Sequence, residues 1–299
     1  MNKDIIVKYF YTRYKLKECI GILNDARKKL IMPFYKSYMG LLNVSEALGR
    51  TAVELEPEYL KDILNKIDFD INFQEYKDLK DINRVLDNQK SLPQNLGKGV
   101  QSIIKYTSKR IKEIDENLDE IIKLMFEESS KLETGTPFGV YSYQTNRRSG
   151  RIKIYLISSF LFCIRNDISL KPFLISTYAH ELAHAYNHLG EDKDGSGMYW
   201  ENFHSIDNYI AEGLAVFYEY EFAKKNREQH PDIIKCFEKT YKKGNGFGEE
   251  YYEGQNWDNT LEEVYISMIG ARRQSIEKIT DFRGLLEKNK RELRKRIHR

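Results

Sequence analysis

Residues 178–190 read Tyr178-Ala179-His180-Glu181-Leu182-Ala183-His184-Ala185-Tyr186-Asn187-His188-Leu189-Gly190. The pattern predicts a helix from about Phe173 to Leu189, with Pro172 ahead of it and Gly190 closing it. On such a helix His180 and His184 leave one face a turn apart, so both imidazoles can grip one metal ion. Glu181 stands one residue round, close enough to touch a water on that ion without being a ligand. Leu174, Tyr178, Leu182, Ala185 and Leu189 form an apolar row roughly opposite His180, His184 and Asn187. A packed back and a polar front are what a cleft-lining helix requires. With six histidines in the chain, H-E-x-x-H arises by chance in about one such sequence in a hundred.

A zinc ion in a hydrolytic site takes three protein ligands and leaves the fourth position to water. The downstream candidates for the third are His188, Glu201, His204, Asp207, Glu212 and Glu219. His188 follows His184 by four residues on the same helix and points past the metal. A third histidine six residues after the motif is missing, because that position is Gly190. Glu212 fits best. It lies in Tyr209-Ile210-Ala211-Glu212-Gly213-Leu214-Ala215, near the start of a helix expected from about Ile206 to Lys225. Gly213 and Ala215 are small, which lets that helix approach the motif helix closely.

Outward from the motif the period changes. Gly139 to Tyr143 and Arg151 to Leu156 read as strands separated by a turn at Asn146 to Gly150. Before them Val100, Ile104, Ile111, Ile114, Leu118, Ile121 and Met125 keep near-heptad spacing. They predict a long helix laid on its own domain, with a coiled-coil partner as the alternative. Ser91 to Gly97 is the strongest boundary signal and divides a helical N-terminal region, residues 1–95, from residues 96–299. In the first region Ile5, Ile6, Tyr9, Phe10 and Tyr14 recur at helical steps, and Cys19, Leu23 and Ala26 carry a face onward. Pro33 and Gly40 punctuate it, and Pro57 between Glu56 and Glu58 resembles the first turn of a short helix. The order of elements is α+β and mostly helical, with a small sheet.

Composition narrows the class. The 299 residues are 41% hydrophobic and 31% charged, which excludes a disordered or low-complexity chain. The 48 basic and 45 acidic residues leave a net charge of +3, too weak a field to argue for a nucleic-acid partner. Cys19, Cys163 and Cys236 are odd in number and far apart, so neither a disulfide framework nor a cysteine metal site is expected. The longest apolar run, Ile154 to Ile164, is about half of what a membrane helix needs. The first residues show no secretory signal, and the expectation is a cytoplasmic protein.

H-E-L-A-H followed by a helix reading A-E-G-L-A resembles the gluzincin clan of zinc metallopeptidases, whose aminopeptidase branch carries E-G-x-A after H-E-x-x-H. The resemblance covers about Thr136 to Ile269, and strictly the motifs. It implies a zincin-like domain holding one Zn2+, with His180, His184 and Glu212 as ligands and Glu181 as general base. It also implies a peptide or protein substrate. The branch has Y-x-x-G further on, whose tyrosine helps hold the tetrahedral intermediate; Tyr251-Tyr252-Glu253-Gly254 matches, with Tyr251 first and Tyr252 in reserve. The chain departs from the clan in a longer gap between His184 and Glu212, and in lacking a G-x-M-E-N segment before the motif. It also has Val216 where thermolysin-like relatives place a carboxylate that orients a zinc histidine.

Two weaker signals have plainer readings. Asp192 to Gly197 resembles the opening of a calcium loop, but the twelfth position is Phe203 instead of Glu. A loop flanking the cleft, with Tyr199, Trp200 and Phe203 toward substrate, is the simpler expectation. The basic tail from Lys288 to Arg299 complements the dipole of a terminal helix. A second class of function is an interaction or sensing protein that keeps the zinc fold and acts through its helical region. The presence of Glu181 argues against it, since a structural site has no need of a base.

Overall fold

The computed structural model describes residues 3–39, 52–54, 60, 63, 72–88, 98–131, 136–144, 149–190 and 205–297. The fold is α+β and mostly helical, with a three-stranded sheet ordered β1-β3-β2. Helices α1 (Lys3–Arg13) and α2 (Leu16–Ala26) open the chain. A π-helical turn at Arg27–Ile31 leads into α3 (Met32–Met39). Pro33 therefore does not end the helical path. The wider turn before it absorbs the clash that a proline ring makes with the carbonyl four residues back.

Strand β1 (Ala52–Glu54) pairs in parallel with β3 (Ser149–Tyr155), and β2 (Gly139–Gln144) pairs with β3 antiparallel, Tyr141 opposite Ile152. Helices α4 (Phe73–Asn88) and α5 (Lys98–Lys131) pack together. In α5 the second half of the heptad row, Ile114, Leu118, Ile121 and Met125, is buried. The expected strand to Leu156 is one residue too long. From Leu156 the apolar run becomes helix α6 (Leu156–Asn166), which ends with Asp167 in the left-handed region at φ 53°. A short run buried on every side has no period by which strand and helix can be told apart.

The motif helix α7 spans Leu170–Leu189, starting earlier than expected. Pro172 sits inside its first turn, where a backbone N–H has no intrahelical partner to lose. Helix α8 (Asn208–Lys225) is capped by Asp207, whose carboxylate accepts from the Tyr209 N–H at 3.0 Å. There follow α9 (Pro231–Thr240), the short α10 (Glu250–Glu253), α11 (Leu261–Gln274) and α12 (Ile279–Ile297).

One hydrophobic core runs from Ile6 and Phe10 in α1 to Phe282 and Leu286 in α12. The N-terminal helices reach the motif helix directly. Tyr35 stacks on Tyr186 with ring centroids 4.4 Å apart, and its hydroxyl donates to the Ala179 carbonyl at 2.9 Å. From the other side the Arg272 guanidinium of α11 donates to the Tyr186 and Gly190 carbonyls at 3.0 and 3.2 Å, closing the C-terminus of α7. The boundary at Ser91–Gly97, the helix at Pro57, residues 146–148 of the expected Asn146–Gly150 turn and the loop from Glu191 to His204 lie outside the described residues, and Ser149 and Gly150 belong to β3 instead of the turn. No helix among the described residues is long and apolar enough to cross a membrane.

Candidate metal centre

Helices α7 and α8 form the most extensive helix pair in the fold, and the ligands meet along their contact. His180 Nε2 lies 3.0 Å from Glu212 Oε2, His184 Nε2 lies 3.5 Å from the same oxygen, and the two imidazole Nε2 atoms are 3.2 Å apart. All three donor atoms fall within 4.8 Å of one another, so His180, His184 and Glu212 form a group that could hold a metal ion. Two imidazole nitrogens and a carboxylate oxygen are the donor types a catalytic zinc takes. The two ring nitrogens face each other at a distance that either a shared proton or a cation between them satisfies.

The constellation is buried. The His180 and Glu219 side chains keep 4% and 2% of their surface, and His184 and Glu212 keep 8% and 12%. The polar front expected for α7 is not an open face. The helix is buried on all sides from Pro172 to Leu189, because α8, α9, α2 and the sheet surround it. Asn187 is fully buried with no hydrogen-bond partner among the described residues.

Glu181 is 1% exposed, and neither carboxylate oxygen has a hydrogen-bond partner among the described residues. Burial pushes its carboxyl up to about 7, against the pull of His180 and His184. A Cβ added at Gly139, the first residue of β2, would stand 2.9 Å from Glu181 Oε1. Strand β2 thus runs close against the Glu181 carboxylate, and any side chain at position 139 would require Glu181 to shift. Glu212 behaves oppositely. Burial works to raise its pKa, but His184 and His180 hold it well below the ordinary carboxylate range.

A carboxylate does sit behind one of the candidate ligand histidines, His180, and it comes from Glu219 instead of position 216. Glu219 Oε2 lies 3.2 Å from His180 Nδ1 and accepts from the Tyr241 hydroxyl at 2.6 Å, while Oε1 accepts from Ser176 Oγ at 2.5 Å. Glu219 was among the third-ligand candidates, and its seven-residue step after Glu212, two helical turns, keeps both on one face of α8. Tyr241 carried no sequence signal at all. It follows the last residue of α9 and reaches Glu219 only through tertiary packing. Burial of His180 opposes its charge, yet hydrogen bonds to Glu212 and Glu219 raise its pKa well above the ordinary value. Of the other third-ligand candidates, Asp207 caps α8 and the His188 Nδ1 lies 2.8 Å from the Tyr141 hydroxyl. Glu201 and His204 lie outside the described residues, as do the calcium-like Asp192–Gly197, Tyr199, Trp200 and Phe203.

Tyr251 joins the centre. Its ring lies over that of His180 at a centroid distance of 6.0 Å and an angle of 26°. Burial, followed by the nearby Glu212 and other carboxylates including Glu181, raises the pKa of its hydroxyl well above the ordinary value. Tyr252 is half-buried against the core and makes no such approach.

Of the two small residues after Glu212, Gly213 works differently from expectation. Gly213 faces the Tyr251 segment instead of α7: a Cβ there would meet Trp257 at 3.0 Å. Reciprocally, a Cβ on Gly254 would fall 1.9 Å from the Gly213 carbonyl oxygen. The glycines of E-G and Y-x-x-G therefore touch, bringing Tyr251 against the ligand helix. Glu253 anchors the same segment, accepting from Arg283 at 2.8 and 2.6 Å and from Trp257 Nε1 at 2.9 Å. No family model, no curated protein and no solved structure matches this chain, so the site is read from its own geometry.

Proposed function

We propose that the chain is a zinc-dependent peptidase with a zincin-like catalytic domain of gluzincin type. The observation that carries this reading is the buried Glu181 carboxylate, without a hydrogen-bond partner among the described residues, beside three converging donors, His180, His184 and Glu212. A structural metal site gains nothing from such a group, and leaving it unpartnered costs about 1–3 kcal/mol or more.

His180, His184 and Glu212 hold the ion. When bound, zinc supplies a Lewis acid toward water and the scissile carbonyl. Glu181 takes a proton from the attacking water on a carboxylate oxygen and later gives it to the leaving amine. The Tyr251 hydroxyl donates to the oxyanion that develops on the substrate. Glu219, held by Ser176 and Tyr241, fixes the ring of His180 through Nδ1. A peptide is favoured as substrate because β2 ends the sheet beside Glu181, with no further strand paired to it among the described residues. A sheet edge is where an extended chain can pair through its N–H and C=O groups.

The test is metal analysis of the purified chain together with hydrolysis of an unfolded protein, with and without chelator. Glu181→Gln should keep its metal and lose turnover by about 100-fold to 10,000-fold. Parental turnover in that variant sinks the reading. One observation favours the interaction role instead: Ile82, Val85, Ile103 and Tyr106 on α4 and α5 are exposed. A loaded metal with no hydrolysis of any protein substrate, and unchanged behaviour of Glu181→Gln, would favour it.

A further inference from the structure

Away from the metal centre, α1, α4 and α6 line a groove of about 250 Å3. Its floor is aromatic. Tyr9 stacks on Phe73 with centroids 5.3 Å apart, and Tyr14 meets Phe160 edge-on at 5.9 Å. Its rim carries Arg13, Lys77, Lys80 and Arg84. Arg84 is committed, with Asp167 at 2.5 Å and Asp81 at 3.4 Å. The other three have no carboxylate at ion-pair distance among the described residues.

Rings and a carbonyl hold two of these cations in place. The Arg13 guanidinium lies 4.8 Å from the centroid of Tyr9, and Lys80 Nζ lies 4.4 Å from that of Tyr76. Lys80 is half-buried, and its ammonium has the Ile164 carbonyl at 3.4 Å. Asp115 and Asp167 act on this ammonium from beyond ion-pair distance, so a ring face and one carbonyl are its direct contacts, and an anion in the groove offsets part of the cost of burying it. Burial accordingly lowers its pKa. An apolar floor with a few convergent polar groups is the usual build of a small-molecule site. Three cations without carboxylate partners suit a doubly charged head, as a phosphate monoester provides.

We propose that this groove binds a small phosphorylated ligand with an aromatic body, its phosphate meeting Arg13, Lys77 and Lys80 and its ring lying along Tyr14. The site is separate from the metal centre and does not depend on the peptidase reading. Calorimetric titration of the full chain with phenyl phosphate tests it, with inorganic phosphate and phenol as parallel arms. Phenyl phosphate should bind saturably and about tenfold or more tighter than either fragment. Lys77→Glu, at an exposed position, and Lys80→Met should each weaken it by about tenfold or more while the circular dichroism spectrum stays parental. Tyr14→Leu should weaken phenyl phosphate and leave inorganic phosphate unchanged. Absence of saturable binding at millimolar concentration, indifference to Lys77→Glu, or equal affinity for inorganic phosphate overturns the proposal.

Discussion

Helices α7 and α5 both read as amphipathic, yet the fold treats them in opposite ways. In α7 the polar residues His180, Glu181, His184, Asn187 and His188 are buried together with the apolar row behind them. In α5 the apolar Ile103 and Tyr106 stand 53% and 62% exposed, while Ile114 to Met125 pack into the core. The difference teaches that the polarity of a helix face does not by itself say whether solvent covers it. What decides is how many elements surround the helix. Helix α7 is enclosed by α8, α9, α2 and the sheet, so each of its polar groups needs a partner or a task. The first turns of α5 are exposed, and an apolar residue there incurs no such obligation.

Four substitutions would break or sharpen that contrast. The largest effect is expected at Tyr35, which carries the N-terminal helices onto α7. Tyr35→Ala removes a fully buried ring stacked on Tyr186 and the hydrogen bond to Ala179. It should cost about 3–5 kcal/mol by denaturant titration, and lower metal occupancy with it. A loss below about 1 kcal/mol would mean that the N-terminal helices do not support the motif helix.

Next comes the carboxylate behind His180. Glu219→Gln should weaken metal binding by about 10-fold to 100-fold in chelator competition, with little change in fold. Unchanged affinity would remove Glu219 from the account of the centre.

A smaller effect is expected at the anchor of the Tyr251 segment. Arg283 holds the Glu253 carboxyl below the ordinary carboxylate range, burial opposing it. Since the folded pKa is depressed, the pair stabilises above the unfolded glutamate value of about 4.3. That contribution fades as pH falls through the folded value. With Arg283 half-exposed, Arg283→Ala should cost about 0.5–1 kcal/mol at neutral pH, and the difference should shrink toward pH 3. A difference that grows in acid would contradict the sign. The smallest effect belongs to Ile103→Ser, expected within about 0.5 kcal/mol of the parent in the same titration. A clear loss there would show that the exposed end of α5 is covered in solution.

Much of the centre was legible before any coordinates. The four-residue step from His180 to His184 places two donors on one face of any helix, whatever surrounds it. The E-G and Y-x-x-G matches pointed to Glu212 and Tyr251, which the fold brings to the same place. What stayed hidden has a common cause. Tyr241 reaches Glu219 across a helix end, and the contact between Gly213 and Gly254 joins positions 41 apart in the chain. The strand β1 likewise comes from the first region to pair with β3, too short a segment to announce a strand by alternation.

The chain's own order of residues determined the helical period, the near-neutral charge and the pairing of two imidazoles with a glutamate one residue on. Those properties are local, set by spacing within one element. Only the tertiary structure decided that α7 is enclosed on every side, that Glu219 and not residue 216 backs His180, and that Glu181 is buried without a hydrogen-bond partner among the described residues. Each of these depends on which distant surfaces come to rest against the helix, and no pattern within a single element carries that information.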